Sequence, residues 1–300
     1  MNNNCSQDFQ NVNPIKRMYI HKNIHLNSKF RDDYYNTSAS NFKYTFSDNL
    51  EKVISLKLSS ISIPNSWYLF SSERGNNKFI IDTSNNSSEE VVIPDGNYTV
   101  AQLETYLNDT YFWDSTSDLN FIKFTIDPIN MKSCFDVSGN NKSGGSISGK
   151  IDIKFVDEKT ENVMFTAGWI LGFRHGKYLN IEKRKLFSEG LFDGGGDRYL
   201  YLCLKDYNNN VSNSNVVYFD DTTMRNDVLA KIYLIDGKFA INFDTMSDDN
   251  ANYSKTRQYF GPITFEKFEI QLLDQYGKQI NLNNMDFSFS LELKQMYNNF

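Results

Sequence analysis

Residues 284–294 read Asn284-Met285-Asp286-Phe287-Ser288-Phe289-Ser290-Leu291-Glu292-Leu293-Lys294. Met285, Phe287, Phe289, Leu291 and Leu293 alternate with polar residues, and successive side chains of a strand point to opposite faces. Five apolar residues at period two therefore give a strand with one buried face; a helix would scatter them around its circumference. The rest of the chain repeats this logic. Ile54, Leu56 and Leu58 hold one phase of a long strand over 53–63, and Ile61 and Ile63 hold the other. The slip at Ser59-Ser60 predicts a β-bulge, and Pro64, with no N–H to give, ends the ladder. Ile263–Leu273 reads as a second long strand, closed by the turn Asp274-Gln275-Tyr276-Gly277.

Shorter strands are expected at 15–26, 42–46, 79–81, 91–93, 121–127, 133–137, 150–156, 198–205 and 215–219. Segments 228–235 and 238–243 flank Asp236-Gly237, a two-residue hairpin signal. One helix is well marked, at about 100–111: Thr99 is placed as its N-cap, with Gln102 three residues on as in a capping box. Residues 165–172 form a second, shorter helix or packed turn. Asparagine, about one residue in eight, clusters in the connections, where it tolerates left-handed backbone and builds Asx-turns. Residues 1–14 read as a flexible arm, 138–149 as a mobile loop, and the tail Gln295–Phe300 as a segment able to reach a neighbour. No linker or repeat divides the remainder. The expected fold is all-β: a jelly-roll-like antiparallel β-sandwich over 15–300, with one or two short helices inserted and an extended N-terminal arm.

Composition bounds the function. A net charge of −6 argues against direct nucleic-acid binding, which needs a basic face. Lys183-Arg184-Lys185 is the one compact basic run, and it reads as a solvated loop. Cys5, Cys134 and Cys203 are odd in number and far apart, which fits neither a disulfide framework nor a zinc site. The amino terminus lacks the pattern of a secretory signal, and the most apolar stretch, 163–173, is far below the ~20 residues of a membrane helix. No transmembrane segment is expected.

Candidate chemistry is sparse. His21 and His25, four apart in a strand, share a face and form the only candidate metal pair, without a clustered third ligand. His175 lies in a loop with no partner placed by a motif. Gly194-Gly195-Gly196 lacks the Lys and Ser/Thr of a phosphate loop. Asp220-Asp221 and Asp248-Asp249 lack the spacing of a calcium loop and read as solvated turns. Trp67, Trp113 and Trp169 fall in unrelated segments, where core or interface packing accounts for them better than a sugar platform. No catalytic, cofactor-binding or metal residue is assigned, and no enzyme is expected.

An ordered set of segments carries a resemblance. It begins with Asn27-Ser28-Lys29-Phe30-Arg31-Asp32 and Asn41-Phe42-Lys43-Tyr44, then Val53–Trp67 and Gly75–Phe79. It continues with Ile93-Pro94-Asp95-Gly96-Asn97-Tyr98-Thr99 and Gly168-Trp169-Ile170-Leu171-Gly172-Phe173-Arg174. It ends with Tyr259-Phe260-Gly261-Pro262, Asp274–Gly277 and Asp286–Phe289. Together these resemble virion structural proteins of the nucleocytoplasmic large DNA viruses, the giant viruses of protists and algae. The resemblance implies a minor capsid or capsid-associated protein in the virion, assembled in the host cell cytoplasm. It implies contacts with the major capsid protein, with other minor capsid proteins and with further copies of itself. The chain is too short for a double jelly-roll major capsid protein. Two other readings compete: a lectin-like or receptor-binding sandwich on the particle surface, and an enzyme on a jelly-roll scaffold with a metal held by His21, His25 and a carboxylate.

Overall fold

The structure is a computed structural model and describes residues 18–84, 87–113, 117–137, 150–156, 162–209, 211–212, 215–219, 224–234, 244–246 and 256–297. The expectations for the arm at 1–14, the loop 138–149, the Asp236-Gly237 hairpin, strand 238–243, Asp220-Asp221, Asp248-Asp249, Cys5 and residues 298–300 lie outside the described residues.

The chain opens with β1 (Met18–Asn27) and β2 (Asn41–Pro64). Seven short strands follow: β3 (Lys78–Thr83), β4 (Ser88–Val92), β5 (Lys123–Ile126), β6 (Ser133–Asp136), β7 (Ile151–Lys154), β8 (Lys177–Ile181) and β9 (Lys185–Phe187). Helix α1 (Val100–Leu107) and the one-turn α2 (Ala167–Ile170) lie among them. The last group is β10 (Tyr199–Lys205), β11 (Val211–Ser212), β12 (Val217–Tyr218), β13 (Met224–Arg225), β14 (Val228–Tyr233), β15 (Asp244–Met246), β16 (Arg257–Leu273) and β17 (Ser288–Tyr297). Among the described residues every strand pair is antiparallel and the helices are short, so the all-β expectation holds in class. By its packing the chain forms two compact units. The first draws on the described residues of 1–64, 199–233 and 244–300, and the second on those of 65–198 and 234–243.

The first unit is built on one sheet with the path β1-β17-β2-β16-β10-β14, joined by β11 on β16 and β15 on β2. Its opening strand pattern is realised from Phe287 onward: Phe287, Phe289, Leu291 and Leu293 are buried, while Met285 is exposed in the turn before β17. Opposite them the bulge falls where the phase slip placed it. Ser60 faces Ser290 but Leu58 faces Leu291, which leaves Ser59 as the extra residue, its hydroxyl donating to the Ser290 carbonyl at 3.1 Å. The extra residue puts Leu56, Leu58, Ile61 and Ile63 on one buried face despite their change of phase.

The two strands read at 42–46 and 53–63 are one 24-residue strand. Lys52 takes a left-handed backbone (φ 56°), and the registers with β16 and β17 shift around it. The chain bends there without leaving the sheet. The strand read from Ile263 starts at Arg257, six residues earlier, and continues through Gly261-Pro262 by an irregular register. Residues 278–282 form only an isolated bridge to Leu273, and Gln295–Tyr297, read as tail, belong to β17.

The second unit packs a four-stranded sheet, β4-β3-β7-β8, a three-stranded sheet, β5-β6-β9, and α1 around an aromatic core. The ring of Phe135 meets those of Phe79, Phe112, Phe124 and Phe173 at centroid separations of 5.0–6.0 Å. The capping box is present: Gln102 N–H donates to Thr99 Oγ1 at 3.3 Å, and Thr99 N–H to Gln102 Oε1 at 3.0 Å. The helix ends at Leu107 and the chain continues as a wider turn over Asn108–Phe112. The described residues of the loop read at 82–90 are mostly strand, and Thr83 N–H donates to Ser87 O. In the 168–174 segment a Cβ on Gly168 would lie 2.4 Å from Phe155, and Gly172 turns the chain at φ 93°, so both glycines are needed.

Candidate functional site

Two surfaces of the first unit stand out. One is a polar cleft of about 570 Å³ where the ends of β10, β14 and β16 meet. Its floor is a buried ion pair: Arg257 Nη1 donates to Asp206 Oδ2 at 3.0 Å and to Leu204 O at 2.7 Å. The Tyr259 hydroxyl donates to the same carboxylate oxygen at 2.5 Å. Burial beside that carboxylate drives the Tyr259 phenol far above its ordinary value, so it stays a donor. Arg257 and Tyr259 are two apart on β16, which sends both side chains to one face.

Beside this pair, Arg225 forks onto Asp227 at 2.8 and 2.6 Å and reaches Gln271 Oε1 at 2.8 Å. The Asp227 carbonyl accepts from Arg257 Nη2 at 3.1 Å, which ties the two ion pairs together. The rim is the Tyr207-Asn208-Asn209 turn. Asn208 N–H donates to Asp206 Oδ1 at 3.0 Å, and Tyr207 sits at φ 60° with its hydroxyl on Glu269 at 2.7 Å. A left-handed tyrosine is costly unless its surroundings hold it, as the Asx-type bond from Asp206 does here.

The second surface is the outer end of the β1–β17 ribbon. β1 is an edge strand of the sheet, in unbroken ten-residue register with β17. Leu26 is buried on the core face, and period two puts Ile20 and Met18 on that same face. Met18 lies opposite Tyr297. Met18, Ile20 and Tyr297 are 61%, 45% and 41% exposed, so the apolar row of the core runs on past its cover. Edge strands are usually blunted by proline, bulges or charge. Here Lys22, the two histidines, Asn23 and Asn27 are the polar residues, with neither proline nor bulge.

The sequence-derived candidates disperse. His21 and His25 do share a face, but each goes to its own partner on β17: His21 Nδ1 to Glu292 at 2.7 Å and His25 Nδ1 to Ser290 at 2.6 Å. Lys57 joins Glu292 at 2.9 Å. Among the described residues no group of three or more His, Cys, Asp or Glu gathers as a metal site would need. His175 is exposed, 3.9 Å from Glu189. Lys183, Arg184 and Lys185 are exposed, and Lys185 pairs with Asp136 at 3.3 Å. Gly194-Gly195-Gly196 is a turn ending at φ 66°. Trp67 is buried, Trp113 lies under Lys123, and Trp169 stacks on Arg174 at 4.0 Å, so all three pack. Cys134 and Cys203 are buried free thiols; burial raises both, Cys203 to about 12. Among the described residues no helix is long and apolar enough to cross a membrane.

The polar cleft escaped the sequence reading. Asp206 and Arg257 of its floor lie 51 positions apart, and only strand pairing joins them. The one local signal is the polar pair Arg257 and Tyr259 at period two, hidden because Gly261-Pro262 looks like the end of a strand.

No family model matches the chain, and no curated protein matches it in sequence. Two solved structures are similar over nearly its whole length. The crystal structure of the mavirus penton protein shares 11% identity at a TM-score of 0.46, covering 93% of this chain and 100% of that one. The cryo-EM structure of the Sputnik virophage gives 11% identity and a TM-score of 0.41, covering 92% and 98%. Likeness at these TM-scores carries no weight for function or partners.

Proposed function

We propose that the chain is a structural virion protein, a minor capsid component that links or cements capsomers in the shell of a large icosahedral DNA virus. Residues 15–300 act as one building block, without catalysis. Its partners are the major capsid protein, other minor capsid proteins and further copies of itself, in a capsid assembled in the host cytoplasm. The observation that carries this reading is the uncovered end of the β1–β17 ribbon. Met18, Ile20 and Tyr297 extend a core face into solvent on an edge strand whose outer main-chain groups pair with no described strand. Exposed apolar surface of that kind marks a contact site, and many modest contacts add up in a lattice. The ordered segments that resemble giant-virus virion proteins support the same reading.

A second reading, a lectin-like or receptor-binding protein on the particle surface, is favoured by one feature, the polar cleft. Quantitative mass spectrometry of purified particles, before and after stripping with detergent and high salt, separates the two. A lattice component stays in the stripped shell at a fixed ratio to the major capsid protein. Loss with the outer layer supports surface display, and absence from particles overturns both.

A further inference from the structure

We propose that the polar cleft of the first unit is a saccharide-binding site for one or two neutral sugar residues. The inference rests on the cleft alone and stands whichever position the chain holds in a particle.

Charge is the first argument. The lining holds three cations, Lys205, Arg225 and Arg257, and three carboxylates, Asp206, Asp227 and Glu269. A site with that balance has no net attraction for phosphate, for an acidic peptide or for a basic one. The buried charges are already committed to each other, which fixes the floor rather than leaving it to seek a counter-ion.

Hydrogen bonding is the second. The groups left over are of both kinds. Arg225 Nη1 and the Asn209 and Asn226 amides have no bond to a described residue, and neither does Glu269 Oε1. Sugar hydroxyls donate and accept at once, so they suit a rim that offers both. The fork onto Asp227 and the bond to Gln271 hold Arg225 in a fixed orientation, so little ordering remains for binding to cost.

Shape and surface are the third. A volume of about 570 Å³ lies within the range of small-ligand sites. Among the described residues Leu204 and Val211 are the only aliphatic members of the lining, which disfavours lipids and apolar side chains as occupants. Tyr207, 44% exposed, adds an aromatic ring to the lining, with Lys205 Nζ 5.2 Å and Lys267 Nζ 4.9 Å from its centroid and its hydroxyl on Glu269.

The test is saturation-transfer NMR on the full chain with methyl glucoside, methyl galactoside, methyl mannoside and methyl N-acetylglucosaminide. At least one is expected to show transfer that does not change between low and high salt. Transfer should weaken about tenfold or more in the Asn209→Ala/Asn226→Ala double variant, which removes two exposed amides. It should weaken likewise in Tyr207→Asn, which keeps a residue tolerant of the left-handed backbone. Absence of transfer from all four glycosides overturns the proposal. So does transfer that survives both variants, or displacement of the glycoside by tetraglutamate at low salt.

Discussion

The two units solve the same problem, burying strands, by different means. The second unit has short strands and closes them over a continuous set of rings, with Phe79, Phe112, Phe124, Phe135 and Phe173 almost fully buried. The first has long strands in one bent sheet, and it places a charged floor of Asp206, Arg257, Asp227 and Arg225 where three strands end. It also leaves an apolar ribbon end uncovered. The second unit is held by its continuous aromatic core, whereas the first carries the polar cleft and the uncovered ribbon end.

The largest expected effect probes the aromatic core. Phe135→Ala removes the ring on which four others converge and should cost roughly 3–5 kcal/mol by chemical denaturation. The two buried thiols tell where that loss is felt. Cys134 lies in the second unit and Cys203 in the first, and burial suppresses the thiolate that would react in each. Thiol labelling at pH 8 should accelerate at Cys134 and stay unchanged at Cys203.

Asp206→Ala is the converse experiment. It strands the buried Arg257 guanidinium and should cost about 3 kcal/mol, with faster labelling at Cys203 and not at Cys134. Acceleration at both cysteines in either variant would show that the units do not open separately.

How much of this was legible in the sequence follows the range of the interactions involved. The β17 alternation from Phe287 onward, the Ser59 bulge and the Thr99 cap depend on residues within a few positions of each other, and each stands where the sequence placed it. The continuity of β2 was not legible, because 42–46 and 53–63 read as separate strands and only the partner strands β16 and β17 hold the link between them extended. The cleft was less legible still: Asp206, Asp227 and Arg257 meet through register alone. The exposed ribbon end was hidden for another reason. Met18 and Ile20 continue the same period-two pattern as buried Leu26, and periodicity does not report where the cover stops.

Smaller effects sharpen the contrast between local and long-range control. Thr99→Ala removes the cap of α1 in the second unit and should cost about 1 kcal/mol, with Cys203 labelling unmoved. At the ribbon, the hydrogen bond from Lys57, and then that from His21, hold the Glu292 carboxyl below its ordinary range. Its contribution is therefore present above the usual glutamate value and is lost as pH falls through the lowered folded value. Glu292 is partly exposed, so Glu292→Gln should flatten the acid limb of a stability-versus-pH curve by no more than ~0.5 kcal/mol.

The central claim is that the β1–β17 ribbon end is a contact surface in a shell. Amide hydrogen exchange read by mass spectrometry, on the free chain and on purified particles, tests it most directly. The outward amides of residues 18–23, alternate along the edge strand and paired with no described strand, should exchange quickly in the free chain and become protected in particles. Equal exchange of this segment in both states would contradict the account.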